Sequence, residues 1–185
     1  MHKSEYDNLM ERNFKEYSDW HRAMYDGPME MFANHTKPLS VLDVGCGIGY
    51  GCRSMRNHKI AGVYTGIDPD QKSIDYCERV LVDFPDTAFL CQDFISHDFG
   101  KFDLVFCIEV IEHVEESERA AFLAKVVDLA DRVAFISTPD RRQNSHACYT
   151  PQEMLRVLRV ECGVHAVAIP RDNTILYVAN KGGLL

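Results

Sequence analysis

Apolar and aromatic residues near the start of the chain fall at Tyr6, Leu9, Met10, Phe14, Tyr17, Trp20, His21, Met24 and Tyr25, steps of three and four that trace one face of a helix. The string Asp26-Gly27-Pro28 predicts its end, with a short helical piece expected through Phe32. From residue 39 the pattern changes. The runs LSVLDV, VYTGID, TAFLCQ, FDLVFCIE, RVAFIST, VHAVAI and TILYVAN read as strands, with helices near 49–58, 71–82, 115–130 and 151–161.

Five strand–helix units are followed by two strands with only Pro170-Arg171-Asp172-Asn173 between them. A parallel crossover needs far more chain than four residues, so the last two strands are expected to form an antiparallel hairpin. The expected fold is α/β, a three-layer sandwich around a seven-stranded, mostly parallel sheet. Residues 1–38 read as an N-terminal helical arm or lid and residues 39–185 as the main body of one compact domain.

Composition narrows the classes. The 185 residues suffice for one domain with one sizeable core. Hydrophobic residues at 46% and charged ones at 26% suit a soluble globular protein, and no apolar run is long enough to span a bilayer. Met1–Met10 is too polar for a signal peptide, which points to the cytoplasm with no membrane anchor. A net charge of −8 disfavours a large nucleic acid as partner, since a duplex-binding surface carries excess Lys and Arg. The seven cysteines are odd in number and form no C-x-x-C pair, as expected of buried free thiols in a reducing compartment.

Candidate chemistry begins at residues 41–51, VLDVGCGIGYG, where glycines alternate at the mouth of the first strand. In open α/β sheets the ligand sits at the carboxyl ends of the strands, beside the first strand, where the strand order reverses. A dinucleotide site would use G-x-G-x-x-G, whereas this spacing is G-x-G-x-G, and Asp43 just before it would repel a diphosphate and attract an ammonium. A nicotinamide dehydrogenase is disfavoured on both counts. Asp68 ends the second strand, placed to accept from the two hydroxyls of a ribose. Asp93 follows the third and could accept from an exocyclic amine. An amino-acid end, a ribose and an adenine together describe S-adenosylmethionine.

Four strings, LDVGCGIGYG, GIDPD, CQDF and FDLVFCIEVIEHVEE, resemble in order and interval the successive motifs of class I S-adenosylmethionine-dependent methyltransferases. The resemblance covers about residues 39–181 and implies a Rossmann-like fold with the closing hairpin. It implies that Gly45 and Gly47 pass under the methionine part, that Asp43 helps hold its ammonium, and that Asp68 takes the ribose. Asp93 and the backbone of Phe94 would take the adenine, and Glu109 or its neighbours the sulfonium side. The product would be S-adenosylhomocysteine.

Methyl transfer from a sulfonium is an in-line displacement in which alignment of the nucleophile contributes most, and a hydroxyl or protonated amine must also lose a proton. His113, just past the fourth strand, is the candidate base, because free histidine titrates near pH 6.5. The same stretch carries a second reading. Glu109, Glu112 and His113 stand at i, i+3 and i+4, and with His146 they resemble the metal-ligand set of small-RNA 2′-O-methyltransferases. The E-x-x-E-H string also resembles small-molecule O-methyltransferases that bind no metal, and no residue is assigned here as a metal ligand. Arg141 and Arg142 could hold an acidic substrate group. The expected activity is methyl transfer to an oxygen or nitrogen of a small molecule. The alternatives are a metal-dependent RNA 2′-O-methyltransferase and a non-catalytic cofactor-binding subunit, and the sequence specifies neither the acceptor nor an oligomeric state.

Overall fold

The helix expected at the start of the chain is present as α1 (Phe14–Glu30) in the computed structural model, which describes residues 14–81, 83–139, 148–171 and 174–182; Tyr6, Leu9 and Met10 of the expected face lie outside the described residues. The break predicted at Asp26-Gly27-Pro28 is absent, and Pro28 lies inside the helix. Proline there forfeits one backbone hydrogen bond, but Met24, Tyr25 and the wholly buried Met29 face the sheet, so packing overrides the local signal. The helix then closes in tighter turns, with the Met31 and Phe32 N–H groups donating to the carbonyls of Pro28 and Met29.

The remaining elements follow in alternation: β1 (Leu39–Val44), α2 (Tyr50–Asn57), β2 (Gly62–Asp68), α3 (Gln71–Val80), β3 (Thr87–Cys91), β4 (Phe102–Ile108), a single 3-10 turn (Ile111–His113), α4 (Arg119–Leu129), β5 (Ala130–Pro139), α5 (Pro151–Arg156) running into a π turn (Val157–Glu161), β6 (His165–Arg171) and β7 (Thr174–Asn180). They build a seven-stranded sheet in the order β3-β2-β1-β4-β5-β7-β6. The first five strands are parallel, and β7 runs antiparallel between β5 and β6, as the short link requires.

The third crossover, residues 92–101, joins β3 to β4 without a helix, in keeping with the four helices expected, so the strand–helix units number four and not five. The Phe94 ring is buried there against Phe122 of α4. The ammonium of Lys125 collects the carbonyls of Phe94, Ile95 and His97, satisfying backbone groups that a helix would otherwise pair.

Each strand serves two cores because side chains alternate across the sheet. Leu42, Val44, Val105 and Ile136 pack under α4 and α5, while Val41, Tyr64, Phe106 and Phe135 pack under α1, α2 and α3. The chain leaves β1 toward β2 and β3, then returns to place β4 on the other side of β1. That reversal opens a crevice at the carboxyl end of β1.

Candidate functional site

The glycine loop fills this crevice. Past Val44 the Gly45 and Cys46 N–H groups both donate to the Ile67 carbonyl of β2, at 2.8 and 3.0 Å, which folds the chain back over the strand end. Gly45 and Gly47 have φ of 69° and 50°, left-handed backbone that side chains disfavour. Their surroundings differ. A Cβ on Gly45 would strike Val110 just past β4, whereas one on Gly47 would meet nothing within 4 Å. Gly47 therefore presents bare backbone to open space, the condition for close approach of a ligand.

Asp43 faces the α1 and α2 side and is wholly buried. Its Oδ1 accepts from the Tyr25 hydroxyl of α1 at 3.0 Å and its Oδ2 from the Tyr64 hydroxyl of β2 at 2.5 Å. Burial pushes this carboxyl up to about 7, although both tyrosines pull it down. A Cβ on Gly51 would overlap the Asp43 carboxylate, the Tyr25 ring and the Tyr64 hydroxyl, so this fourth glycine exists for packing. Both carboxylate oxygens of the residue expected to hold an ammonium are thus engaged within the protein. Sequence could not reveal this joint, whose members lie 18 and 21 residues from Asp43.

Asp68 stands at the tip of β2, partly exposed. Its Oδ2 accepts from the Gly47 N–H at 2.9 Å and its Oδ1 from the Asp70 N–H at 2.9 Å. Asp70, not Asp68, caps α3, its side chain accepting from the Lys72 and Ser73 N–H groups. Asp68 is free of that duty and braces the glycine loop instead.

On the far side of the crevice, Asp93 is exposed and accepts from the Ser96 N–H at 2.9 Å, and hydrogen bonding from the Ser96 hydroxyl and then from its N–H holds the Asp93 carboxyl below the ordinary range. Phe94 is buried beneath it, with the Lys125 ammonium 4.9 Å from its ring. Lys125 thus fixes the segment expected to face the adenine, and no sequence signal marked it.

At the end of β4 the backbone of Glu109 is left-handed, with φ of 56°. Its N–H donates to the Ser137 hydroxyl at 3.0 Å, and that hydroxyl donates back to Glu109 Oε1 at 2.8 Å. Ser137 is wholly buried on β5, paired in register with Ile108. Burial pushes the Glu109 carboxyl up to about 7 against the Ser137 hydrogen bond. Burial and the neighbouring Glu109 charge push Glu112 up to about 8, and Glu112 Oε2 is buried with no hydrogen-bond partner.

The single helical face expected for Glu109, Glu112 and His113 does not form. The 3-10 turn begins only at Ile111, Glu109 belongs to the strand end, and His113 is exposed while Glu112 points inward. Among the described residues no three His, Cys, Asp or Glu side chains are grouped to hold a metal ion. Arg141, Arg142 and His146 lie outside the described residues. Of the seven cysteines, all free, Cys46, Cys52, Cys77 and Cys107 are buried, Cys148 and Cys162 half-buried and Cys91 exposed. Among the described residues no helix is long and apolar enough to cross a membrane.

A doubly wound sheet, a glycine loop at its switch point and an acid bracing that loop from the next strand define the ligand crevice of an open α/β fold. A sequence-family profile described as "Methyltransferase domain" matches residues 41–131. The ubiquinone biosynthesis O-methyltransferase of Coxiella burnetii is 32% identical over 89 residues, 45% of this chain and 36% of that protein. The matched stretch spans less than half of such curated relatives. In fold the chain is similar to the magnesium protoporphyrin IX methyltransferase of Synechocystis PCC 6803 with bound S-adenosylhomocysteine, with a TM-score of 0.71 and 19% identity over 91% of this chain and 88% of that one. It is likewise similar to a plantazolicin methyltransferase in complex with the same product, with a TM-score of 0.73 and 12% identity over 96% and 91% of the two chains. Residues 41–131 thus form a methyltransferase domain, on the Rossmann-like fold shared by the S-adenosylmethionine-dependent methyltransferases to which the chain is similar.

Proposed function

We propose that this protein transfers the methyl group of S-adenosylmethionine to an oxygen or nitrogen of a small molecule. The observation that carries the reading is the hydrogen bond from the Gly47 N–H to Asp68, which couples a stretch of backbone open to close approach to a partly exposed carboxylate at the tip of β2. The backbone at Gly45 and Gly47 would lie under the methionine part, Asp68 would accept from the ribose, and Asp93 with the Phe94 backbone would face the adenine. Bound there, the cofactor supplies an electrophilic methyl on a sulfonium.

Asp43 would act on the methionine end through the loop it anchors. Glu109 stands at the sulfonium side, and the exposed imidazole of His113 beyond it would take the proton of the incoming nucleophile. Support for a small acceptor comes from the relatives, named for ubiquinone biosynthesis, magnesium protoporphyrin IX and plantazolicin. The net charge of −8 points the same way, away from RNA. The part of the chain before β1, with α1 docked on α2, would border the acceptor as its cover.

The test is transfer of label from methyl-labelled S-adenosylmethionine to a panel of phenols, catechols, carboxylic acids and amines, beside short RNAs. Methylation within the small-molecule panel is expected. Labelling confined to RNA would replace this reading, and tight cofactor binding with no acceptor in either panel would make the chain a cofactor-binding subunit.

A further inference from the structure

We propose that Ser137 is a positioning residue: it fixes the Glu109 carboxylate toward the sulfonium and thereby sets the site's preference for S-adenosylmethionine over S-adenosylhomocysteine. The proposal rests on the cofactor reading above. Glu109 is held in an unusual way. Of the three non-glycine residues at positive φ among the described residues, Lys59, Asp86 and Glu109, only Glu109 directly follows a strand that opens onto the crevice. Left-handed backbone costs a side-chain-bearing residue free energy and persists where the surroundings over-determine it.

Ser137 supplies that determination twice with one hydroxyl. Its oxygen accepts the Glu109 N–H at 3.0 Å and its proton goes to Glu109 Oε1 at 2.8 Å, closing a ring between backbone and side chain of the same residue. Ser137 is wholly buried between Ile108 of β4 and Leu176 of β7, so the hydroxyl has no freedom to wander. Next along the chain, Val110 packs on Gly45 of the cofactor loop, so the clamp and the loop share a wall.

The two ligands differ by one methyl and one charge. The donor carries a sulfonium and the product a neutral thioether, so a fixed carboxylate nearby favours the donor, and one free to swing away favours it less. A serine that only packs would alter stability and both affinities alike. One that orients Glu109 would alter their ratio.

The experiment measures both dissociation constants by calorimetry at pH 8.0 for the wild type, Ser137→Ala, Ser137→Thr, Glu109→Gln and the double variant Ser137→Ala/Glu109→Gln. Ser137→Ala is expected to lower the donor-over-product preference about tenfold, the effect of one hydrogen bond to a charged group. Ser137→Thr, which keeps the hydroxyl, should retain the preference. Glu109→Gln should lower it alone, and adding Ser137→Ala to it should change nothing more. Should Ser137→Ala not fold, Ser137→Cys, a weaker donor, is expected to give an intermediate preference. A preference unchanged in the serine variants while both ligands still bind overturns the role of Ser137 and leaves the cofactor reading standing. A wild type that binds neither ligand overturns both.

Discussion

The Tyr25 hydroxyl of α1 donates to Asp43 Oδ1 at 3.0 Å, so the acid next to the end of β1 is tied to the helix that precedes the sheet. Around this bond α1 is fastened to α2 at further points. Ser54 donates to Asp26 at 2.5 Å, and the His21 and Tyr50 rings stack 5.4 Å apart. Because Tyr50 and Gly51 immediately follow the glycine loop, the helix and the cofactor loop share one buried joint.

Tyr25→Phe keeps the ring in its contact with Phe106 and removes only the donor, leaving Asp43 Oδ1 buried without it. The expected loss is about 1–3 kcal/mol, the cost of an unsatisfied buried acceptor. Urea unfolding checks it, as a lower midpoint with unchanged slope. An unchanged midpoint would mean the joint contributes nothing.

Asp43 also predicts a pH dependence. Burial raises its carboxyl to about 7, so the native state keeps a proton that the unfolded chain releases near pH 4. Stability from this group is fully present below that range, falls as pH rises toward 7, and is lost above it; a shift of this size corresponds to roughly 4 kcal/mol. Glu109 and Glu112, raised to about 7 and 8, add slopes of the same sign. Asp43→Asn should therefore be stabilised relative to wild type at pH 8 compared with pH 5, measured by urea unfolding at both. A difference that does not change with pH would contradict the assignment.

The glycines separate packing from ligand approach. Gly51→Ala should destabilise by about 1–3 kcal/mol through overpacking against Asp43, Tyr25 and Tyr64. Gly47→Ala meets no atom and should lose only about 1–2 kcal/mol from its left-handed backbone, yet weaken cofactor binding at least as much as Gly51→Ala does. Thermal unfolding beside calorimetry with S-adenosylhomocysteine separates the two. Equal losses of stability and unequal, reversed losses of binding would place the ligand away from Gly47.

The parts legible in the sequence were those written in short-range pattern. Strand alternation placed Asp43, Asp68 and Asp93 at strand ends, and the four-residue link after Ile169 foretold the hairpin. The parts that were not legible depend on distant residues. Pro28 sits in a helix because Met29 is buried under it, and the Glu109–Glu112–His113 spacing lost its helical meaning once Ser137, 28 residues on, held Glu109 in the strand end. Asp43 was singled out by its position just before the glycine loop. Its engagement by two tyrosines is a fact of three dimensions.

His113→Ala should lower turnover of the acceptor found in the screen by roughly 100- to 10,000-fold while cofactor affinity stays nearly constant, the signature of a lost general base. Steady-state kinetics beside calorimetry reads both. Full turnover in the variant would remove His113 from the chemistry. Activity lost to a chelator and restored by manganese or magnesium, with Glu109→Ala and Glu112→Ala equally inactive, would make it part of a metal site.

We propose above all that the crevice at the end of β1 takes an adenosyl amino acid and not a dinucleotide. Calorimetric titration of the purified chain with S-adenosylmethionine, S-adenosylhomocysteine and a nicotinamide dinucleotide tests it most directly. Heat and saturation are expected with the first two and none with the third, with affinity for both adenosyl compounds weakened by about 1.5–3 kcal/mol in Asp68→Ala, the range for a hydrogen bond to a charged group. Saturable binding of the dinucleotide with no response to either adenosyl compound would contradict it.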